Sequence, residues 1–452
     1  MTSSLSSMYV SVIFFLSIGL LSCGEEESID EIDPNSLLTS EQQKIVAAID
    51  TEAFPFSTTP LSAIDDELQV LDNVSDARIV GLGEATHGTR EFFQMKHRVF
   101  QYLVEQHGFD AFVFEMDFAE AMLFNDWVHG RSTERIQDLM RGKMIFWTWN
   151  TEEVKELLEW MRSYNESQPE ESKIDFVGVD VQFTRYNLNN LLDLLRQAEV
   201  VQVDSVSLLN NRYKSISNLY RDFFTPELRK EVRAGIEYAA SVVTNQKDLI
   251  VEKIGLENYQ WATQLTHHMS QVEEVFYEQV QGQNYVLRDR YMAENTSWYF
   301  DLLGEEAKLV LWAHNGHVAD NPNFAGAGGG SQGNYLKLEY GDDYVIMGFS
   351  FGQGSFTAVQ ANGPLRTHSI ASGPLPGSSN YLFYQSEHDA YVLPMNTNSR
   401  ELNNWLTNSR LFFSVGSTYN GSSSNYYYMN SLASRYDYII HFDQTTNSRL
   451  LR

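Results

Sequence analysis

A carboxylate and an imidazole lie three residues apart in the segment Gly83-Glu84-Ala85-Thr86-His87-Gly88. The apolar run 79–82 directly precedes this segment, and an amphipathic segment directly follows it. Open α/β sheets bind their ligands beyond the carboxyl ends of their strands, so we expect Glu84 and His87 at such an edge. An imidazole that is oriented by a carboxylate is suited to general base catalysis, in which the neutral ring takes a proton from water.

Other ionisable residues follow predicted strands in the same way. The apolar run 310–313 leads directly into His314-Asn315-Gly316-His317, Glu115 follows the run 112–114, and Asp180 follows the run 176–179. Any single acidic residue after a strand is more often a turn or helix cap than a catalyst. The recurrence of the pattern is what favours one shared cleft.

Lys96 interrupts the apolar stripe of the helix that is predicted after His87, and Thr89 is expected to cap the start of that helix. A buried ammonium group is costly without a partner, so Lys96 requires a carboxylate at a neighbouring strand end, for which Glu115 is a candidate. We therefore expect seven ionisable residues to converge at one edge of the sheet: Glu84, His87, Lys96, Glu115, Asp180, His314 and His317.

Nucleophilic residues are weaker candidates. The segment 348–352 matches Gly-x-Ser-x-Gly, but a nucleophile elbow requires a strand that turns sharply into a helix. The following residues 353–359 resemble a turn and another strand, so Ser350 is interpreted as a strand residue. Cys23 is the only cysteine and lies in a predicted export signal, which excludes both a cysteine nucleophile and an internal disulfide.

The elements that must position these residues are short β-rich runs, most of which are followed by segments of helical period. The runs predict strands at 78–82, 111–115, 174–179, 309–313, 344–349, 391–394, 411–415 and 438–442. The predicted fold is α/β, with a largely parallel central sheet and flanking helices; the pattern also allows antiparallel strands late in the chain. Residues 186–300 have helical period without a convincing strand, and we predict a helical insertion between two parts of a catalytic domain, 41–185 and 301–452.

The composition of the 452 residues is that of a globular protein, with a net charge of −28. This charge repels phosphate backbones and argues against a nucleic-acid partner.

The N-terminus predicts export and attachment to a membrane. The apolar run 8–21 is too short to span a bilayer comfortably and is followed at once by Ser22-Cys23-Gly24, which resembles a bacterial lipobox. Residues 1–22 are then a signal peptide, Cys23 carries the lipid anchor, and residues 23–40 are a flexible tether. We expect an outer-membrane lipoprotein of a Gram-negative bacterium, either periplasmic or exposed on the surface.

The Gly-Glu-x-x-His segment at 83–87 and the Ala-His-Asn-x-His segment at 313–317 resemble the erythromycin esterases. The likeness runs from about residue 74 to the end and includes the stretches Trp127-Val128-His129-Gly130 and Arg288-Asp289-Arg290-Tyr291. The resemblance implies hydrolysis of a carboxylic ester, a macrolide lactone in the named members, without a covalent intermediate.

The resemblance also implies roles for individual residues. His87 matches the proposed general base of the family, and its other active-site positions match Glu84, Glu115, His314 and His317. Lys96 lies where some members carry arginine; with Asp180 and Arg288 it is expected to bind substrate or to supply charge. The developing oxyanion is expected near His314, His317 or Lys96. No cofactor is implied.

Two alternatives remain open on sequence grounds. The same carboxylates and imidazoles are metal ligands, so a metal-dependent hydrolase is possible. A non-catalytic lipoprotein that binds a glycan or lipid is the second alternative, because Trp127, Trp147, Trp149 and the tyrosines 426–428 could stack on sugar rings.

Overall fold

A ten-stranded mixed sheet forms the centre of the computed structural model, which describes residues 38–58, 66–218, 224–281, 284–324 and 328–451. The predicted signal peptide, Cys23 and most of the predicted tether lie outside the described residues. From Thr39 onward the described residues pack as one compact unit. The division into two catalytic parts and an insertion therefore stays a prediction.

Twelve strands are present in the described part of the chain, and all eight predicted strands are among them. Their bounds are β1 Phe54–Pro55, β2 Ile79–Leu82, β3 Ala111–Asp117, β4 Asp175–Asp180, β5 Leu309–Trp312, β6 Tyr344–Gln360, β7 Leu365–Ile370, β8 Ala390–Pro394, β9 Arg410–Phe413, β10 Thr418–Tyr419, β11 Tyr427–Asn430 and β12 Tyr438–Thr445.

The central sheet has the strand order β1-β8-β12-β6-β2-β5-β3-β4. Strands β12, β6, β2, β5, β3 and β4 are mutually parallel, whereas β8 and β1 are antiparallel to their neighbours. Strands β7 and β10 pair with β6, and β9 and β11 form a separate two-stranded sheet. The predicted α/β fold with a largely parallel central sheet is confirmed.

Helices flank this sheet, and their bounds are α1 Ser40–Glu52, α2 Arg90–His107, α3 Phe118–Val128, α4 Ile136–Lys143, α5 Glu152–Ser167, α6 Asn187–Gln197, α7 Val203–Leu209, α8 Pro226–Asn245, α9 Lys247–Ile254, α10 Leu256–Gln281, α11 Asn284–Leu303, α12 Asn315–Val318, α13 Gln332–Tyr340, α14 Ser379–Phe383 and α15 Arg400–Thr407. Helices α6 to α11 occupy the stretch for which helical period was predicted. Among the helices of the described residues, none combines the length and apolar character that a membrane crossing requires.

Burial on both faces of the sheet explains why the central strands are continuous apolar runs in the sequence. Every residue of β2, β3 and β5 is buried, as is typical of parallel strands covered on both faces. Aromatic side chains fill one face, where Phe114 lies 4.6 Å from Trp312 between ring centroids and Phe100 stacks on Phe112 at 4.4 Å. This packing fixes the strand ends that carry the ionisable residues.

Two local expectations were wrong. Strand β6 runs without interruption from Tyr344 to Gln360, so the expected turn at 353 is absent, and its pairing with β12 continues through Gly354. Thr89 precedes α2 but makes no side-chain cap. Its hydroxyl bonds instead to the hydroxyl of Thr86 at 2.5 Å, which braces the segment that carries His87.

Candidate active site

Glu84 organises the first half of the site from the carboxyl end of β2. One carboxylate oxygen lies 2.6 Å from Nδ1 of His87. The other accepts hydrogen bonds from Nζ of Lys96 at 2.7 Å and from Nε1 of Trp312 at 2.8 Å. Both carboxylate oxygens of Glu84 are thus hydrogen-bonded. The carboxylate fixes the His87 ring so that Nε2 points away from Glu84.

The burial of this group is balanced by charge. Burial alone raises the pKa of Glu84, but the charge of Lys96 and the hydrogen bonds from His87 and Lys96 outweigh it and the net pKa is lowered. Burial lowers the pKa of Lys96 to about 8 although Glu84 opposes this, so the ammonium group stays charged at neutral pH. Its charge also lies 4.3 Å from the centroid of the Trp312 ring. The pair maintains an ionised Glu84 inside the protein.

Arg288 organises the second half of the site from α11. Its guanidinium donates to both oxygens of Asp180, at 2.8 and 2.9 Å, and to Oε1 of Glu115 at 2.6 Å. Burial raises the pKa of Glu115, but His317 and Arg288 outweigh it and hold the pKa well below its usual range. The site therefore contains a fixed positive charge that is clamped between the ends of two strands.

His317 lies beside this guanidinium. Its Nε2 is 3.0 Å from Arg288 Nη1 and 3.4 Å from Glu115 Oε1, and its Nδ1 is 2.7 Å from Oδ1 of Asp289. Burial lowers the pKa of His317, but Asp289 and Glu115 outweigh it and the net pKa is raised. The two carboxylates therefore favour the protonated form of His317, whereas burial and Arg288 oppose it.

His314 has the opposite environment. Its Nδ1 accepts from the backbone N–H of Gly316 at 3.2 Å, so the ring proton lies on Nε2, which faces the carbonyl oxygen of Val415 at 3.2 Å. Burial, assisted by His87 and His317, lowers the pKa of His314 to about 3. His314 is a neutral ring at any pH near neutrality.

The two halves meet at the carboxyl ends of the parallel strands. The ring centroids of His87 and His314 are 5.0 Å apart, and those of His314 and His317 are 6.5 Å apart. The backbone N–H of His314 donates to Glu115 Oε2 at 2.9 Å, which joins the halves directly. All seven residues expected at one edge lie together, and Arg288 lies with them.

Close backbone packing brings the β2 and β5 ends to this distance. The N–H of Asn315 donates to the carbonyl of Glu84 at 2.9 Å, and the Asn315 side chain bonds to both backbone groups of Phe349 on β6. A Cβ atom at Gly83 would lie 2.1 Å from the Asn315 side chain. Glycine at position 83 is therefore required by the approach of the second segment.

Two expectations for Lys96 were wrong. Its partner is Glu84 rather than Glu115. Strand β5 lies between β2 and β3, and Glu115 forms an ion pair with Arg288 instead. Lys96 is also fully buried, with 0% exposure, so it cannot contact a substrate or an oxyanion directly. Its charge acts through Glu84.

Three partners of these residues did not emerge from the sequence. Asp289 holds His317, Trp312 holds Glu84, and Ser414 lies with its Oγ 3.3 Å from Nε2 of His314. Asp289 directly follows Arg288, and an acidic residue beside an arginine was the available signal. Ser414 lies within the predicted strand 411–415, far along the chain, and no motif marks it.

The serine of Gly-x-Ser-x-Gly is a core residue. Ser350 has 0% exposure in the middle of β6, where Oγ accepts from Asn380 and lies 3.1 Å from Nδ1 of His441. His441 in turn lies 3.2 Å from Asp443, which completes a Ser-His-Asp set. Because a substrate cannot reach Ser350, this set satisfies buried polar groups and does not form an elbow.

The donor atoms that a metal would need are already engaged. Both Glu84 oxygens and both Glu115 oxygens bind N–H groups, including those of Lys96 and Arg288. Among the described residues, no group of three or more His, Cys, Asp or Glu side chains is arranged to hold a metal ion. Of the aromatic residues considered for glycan stacking, Trp127 and Trp149 are buried in the core.

A buried carboxylate–imidazole pair beside a clamped guanidinium, at the strand ends of an α/β sheet, is an arrangement suited to hydrolysis. The chain matches the erythromycin esterase family over residues 104–445. It therefore belongs to the erythromycin esterase family. Membership of this family supports ester hydrolysis as the general class of activity.

Two relatives of known sequence are described as an erythromycin esterase and a putative hydrolase. The chain is 26% identical to the erythromycin esterase type II of Escherichia coli over 325 residues, which are 65% of this chain and 74% of that protein. It is 23% identical to the putative hydrolase YbfO of Bacillus subtilis (strain 168) over 377 residues, 77% of this chain and 81% of that protein.

Solved structures share the fold. A structure described as a succinoglycan biosynthesis protein superimposes with a TM-score of 0.78 at 24% identity and covers 91% of this chain and 99% of its own. A mutant of the erythromycin esterase EreC in its open conformation gives a TM-score of 0.66 at 17% identity, covering 89% of this chain and 99% of its own.

Proposed function

We propose that the protein hydrolyses a carboxylic ester by water that His87 activates, without a covalent intermediate. The observation that carries the proposal is the His87 ring itself. Nδ1 is held by the ionised Glu84 at 2.6 Å, whereas no described residue bonds to Nε2, and the side chain is 13% exposed. A neutral ring fixed in this way presents the lone pair of Nε2 to a water molecule.

Arg288 and His317 supply the electrophilic side of the reaction. The guanidinium of Arg288 keeps a permanent positive charge near the carbonyl oxygen on which negative charge develops. His317, whose pKa is raised by Asp289 and Glu115 against the effect of burial, would donate a proton to the leaving alkoxide. Water adds to the acyl carbon, the ester C–O bond breaks, and the products are a carboxylic acid and an alcohol.

The substrate class is an ester of an acyl group with an alcohol, and macrolide lactones belong to this class. The experiment is a hydrolysis screen of the protein without residues 1–27, over macrolides and simple acyl esters, read by product mass. The expected result is a product heavier than its lactone by one water, or an acid and alcohol pair. Intact substrate throughout the screen would contradict the proposal.

Removal of metal is expected to leave this activity unchanged. Lys96 and Arg288 occupy the positions on Glu84 and Glu115 at which a cation would bind, so a metal would have to displace them. The measurement is turnover after dialysis against a chelator, with elemental analysis of the dialysed protein. Loss of activity that returns on addition of a divalent metal would establish the metal-dependent alternative instead.

We also propose that the signal predicted at 1–22 delivers the protein to a membrane through a lipid on Cys23. The support is the sequence Leu20-Leu21-Ser22-Cys23 after the apolar run. Mass analysis of the N-terminal peptide from the native host tests this. A diacylglyceryl cysteine at Cys23 is expected, and an unmodified Cys23 would contradict the proposal.

A further inference from the structure

A serine from the late part of the chain reaches the candidate active site on the two-stranded sheet of β9 and β11. Ser414 follows β9 directly, and its N–H donates to the carbonyl of Tyr426 at 2.9 Å. The next residue, Val415, donates its N–H to the carbonyl of Ala85 at 2.7 Å and pairs with Thr86. Ser414 is thereby fastened to the same segment that carries Glu84 and His87.

The orientation of His314 determines what the Ser414 hydroxyl can do. Nδ1 of His314 accepts from the N–H of Gly316, so Nε2 is the protonated nitrogen. This N–H lies 3.2 Å from the carbonyl oxygen of Val415 and 3.3 Å from Oγ of Ser414. The single N–H is shared between these two oxygens, so Oγ of Ser414 accepts from His314 and its own hydrogen remains available for another acceptor.

The same geometry argues against a nucleophilic serine. An activated serine needs a neighbouring base with a free lone pair. The lone pair of His314 is taken by Gly316, and burial lowers the pKa of the ring to about 3, so it is a poor base. His314 holds the hydroxyl in place and does not deprotonate it.

Ser414 is partly exposed, and the His314 ring to which it bonds lies 5.0 Å from the His87 ring between centroids. Most other described donors beside His87 are occupied: Lys96 and Trp312 donate to Glu84, and the ring N–H of His314 is directed at Val415 and Ser414. The indole N–H of Trp149 has no partner among the described residues but is buried, with 6.3 Å between its ring centroid and that of His87. We propose that the Ser414 hydroxyl is a catalytic group that donates a hydrogen bond to an oxygen of the ester as water attacks. This inference rests on the proposed esterase function.

The test compares Ser414→Ala with Ser414→Thr, which keeps the hydroxyl. Ser431→Ala is the matched control, because Ser431 is a partly exposed serine of the same region whose Oγ bonds to the carbonyl of Thr407, away from the site. We expect Ser414→Ala to lower kcat/KM by about ten- to a hundredfold, the scale of one hydrogen bond to a charged group. Ser414→Thr and Ser431→Ala are expected to stay within about threefold of the parent protein.

Thermal unfolding of the same variants separates a catalytic role from a structural one. In Ser414→Ala the ring N–H of His314 still donates a hydrogen bond to the carbonyl oxygen of Val415. An unchanged Tm is therefore expected. Parent-like kcat/KM in Ser414→Ala, or an equal loss in Ser414→Thr, would overturn the proposal. An acyl adduct on Ser414 in the intact mass during turnover would also overturn it, since the serine would then be a nucleophile.

The outcome also separates this inference from the proposed function. Hydrolysis by the parent protein that is lost in His87→Asn but retained in Ser414→Ala defeats the role of Ser414 alone. Absence of hydrolysis by the parent protein across the ester screen defeats both.

Discussion

His314 and His317 show how two imidazoles from one short motif acquire different chemistry. Their rings are 6.5 Å apart between centroids, yet burial lowers the pKa of His314 to about 3 whereas Asp289 and Glu115 raise that of His317. Environments that move two pKa values apart are how a site assigns an acid and a neutral group. In this site the assignment follows from two buried carboxylates, Asp289 and Glu115, neither of which belongs to the His-Asn-x-His motif.

This assignment predicts a change in pH dependence for Asp289→Asn. The carboxylate of Asp289 raises the pKa of His317, so its removal lowers that pKa. The acid form of His317 is then lost at a lower pH, and the alkaline limb of the kcat/KM profile is expected to move towards acid. The measurement is a full pH–rate profile of parent and variant, and an alkaline limb that does not move would remove His317 from the role of proton donor.

At the residue scale, the sequence located the ionisable groups correctly but not their partners. Four of the ionisable residues lie at or near strand ends: Glu84, Glu115, Asp180 and His314. The apolar runs that precede them in the sequence are sufficient to predict this. The partner of Lys96 depends on the order of β2, β5 and β3 in the sheet, which no local pattern contains. Ser414 is near His314 only because a distant two-stranded sheet docks there.

The C-terminal segment 446–451 links the segment that follows His87 to the loop that contains Trp149. Ser448 donates its N–H to the carbonyl of Gly88, which directly follows His87, and Leu451 donates to the carbonyl of Asn150, next to the buried Trp149. Arg449 anchors the segment through Nε on Oε1 of Glu153 at 2.7 Å. The segment therefore acts as a strap between the chain after His87 and the loop that contains Trp149.

We expect Arg449→Ala to lower the free energy of unfolding by about 1–2 kcal/mol. The change leaves the buried Glu153 carboxylate with weaker compensation, although Arg449 itself is partly exposed and the effect is reduced by solvent screening. Glu156→Ala is the matched control, because it removes only the exposed contact of Arg449. Denaturant titration measures both, and equal stability of the two variants would show that the strap is not held by Glu153.

At the element scale, long apolar runs predicted strands well because parallel strands are buried on both faces. Strands β1 and β10 were missed because two residues carry no periodicity. Strands β7 and β11 were missed because most of their side chains are partly or fully exposed. The length of β6 was underestimated because Gly352 and Gly354 resemble a turn. In the sheet they allow close approach of Tyr384 and Thr445.

The whole molecule contains buried histidines outside the site that must stay neutral. Burial lowers the pKa of both His97 and His268 to about 4, and Nε2 of His97 is buried without a hydrogen-bond partner among the described residues. Between that value and the unfolded value near 6.5 the unfolded chain binds more protons. Stability is therefore fully present above about pH 6.5 and is lost as the pH falls towards 4.

We expect His97→Leu to remove part of this acid sensitivity, by about 3 kcal/mol at the acid end of the window. Leucine suits the site because the His97 ring packs against Trp160 with 5.5 Å between centroids. The measurement is the free energy of unfolding of parent and variant from pH 7 to pH 4. Parallel curves for the two proteins would show that His97 does not titrate on unfolding.

At the scale of the whole molecule, the fold class and the family follow from sequence, but the strand order does not. The β12 strand from the end of the chain pairs with β6 and β8, and β6 separates it from β2. Such pairing depends on packing between distant segments, and the apolar runs of β12 and β2 are interchangeable as patterns. The stretch 186–300 was recognised as helical, whereas its attachment to the cleft through Arg288 was implied only by family resemblance.

We propose that His87, oriented by Glu84, activates the water that cleaves an ester. The kcat of His87→Asn on any ester that the parent protein hydrolyses tests this role most directly. Asparagine keeps a polar side chain but cannot act as a base. We expect kcat to fall by about a hundred- to ten-thousand-fold with an unchanged Tm. A variant that turns over at nearly the parent rate would contradict it.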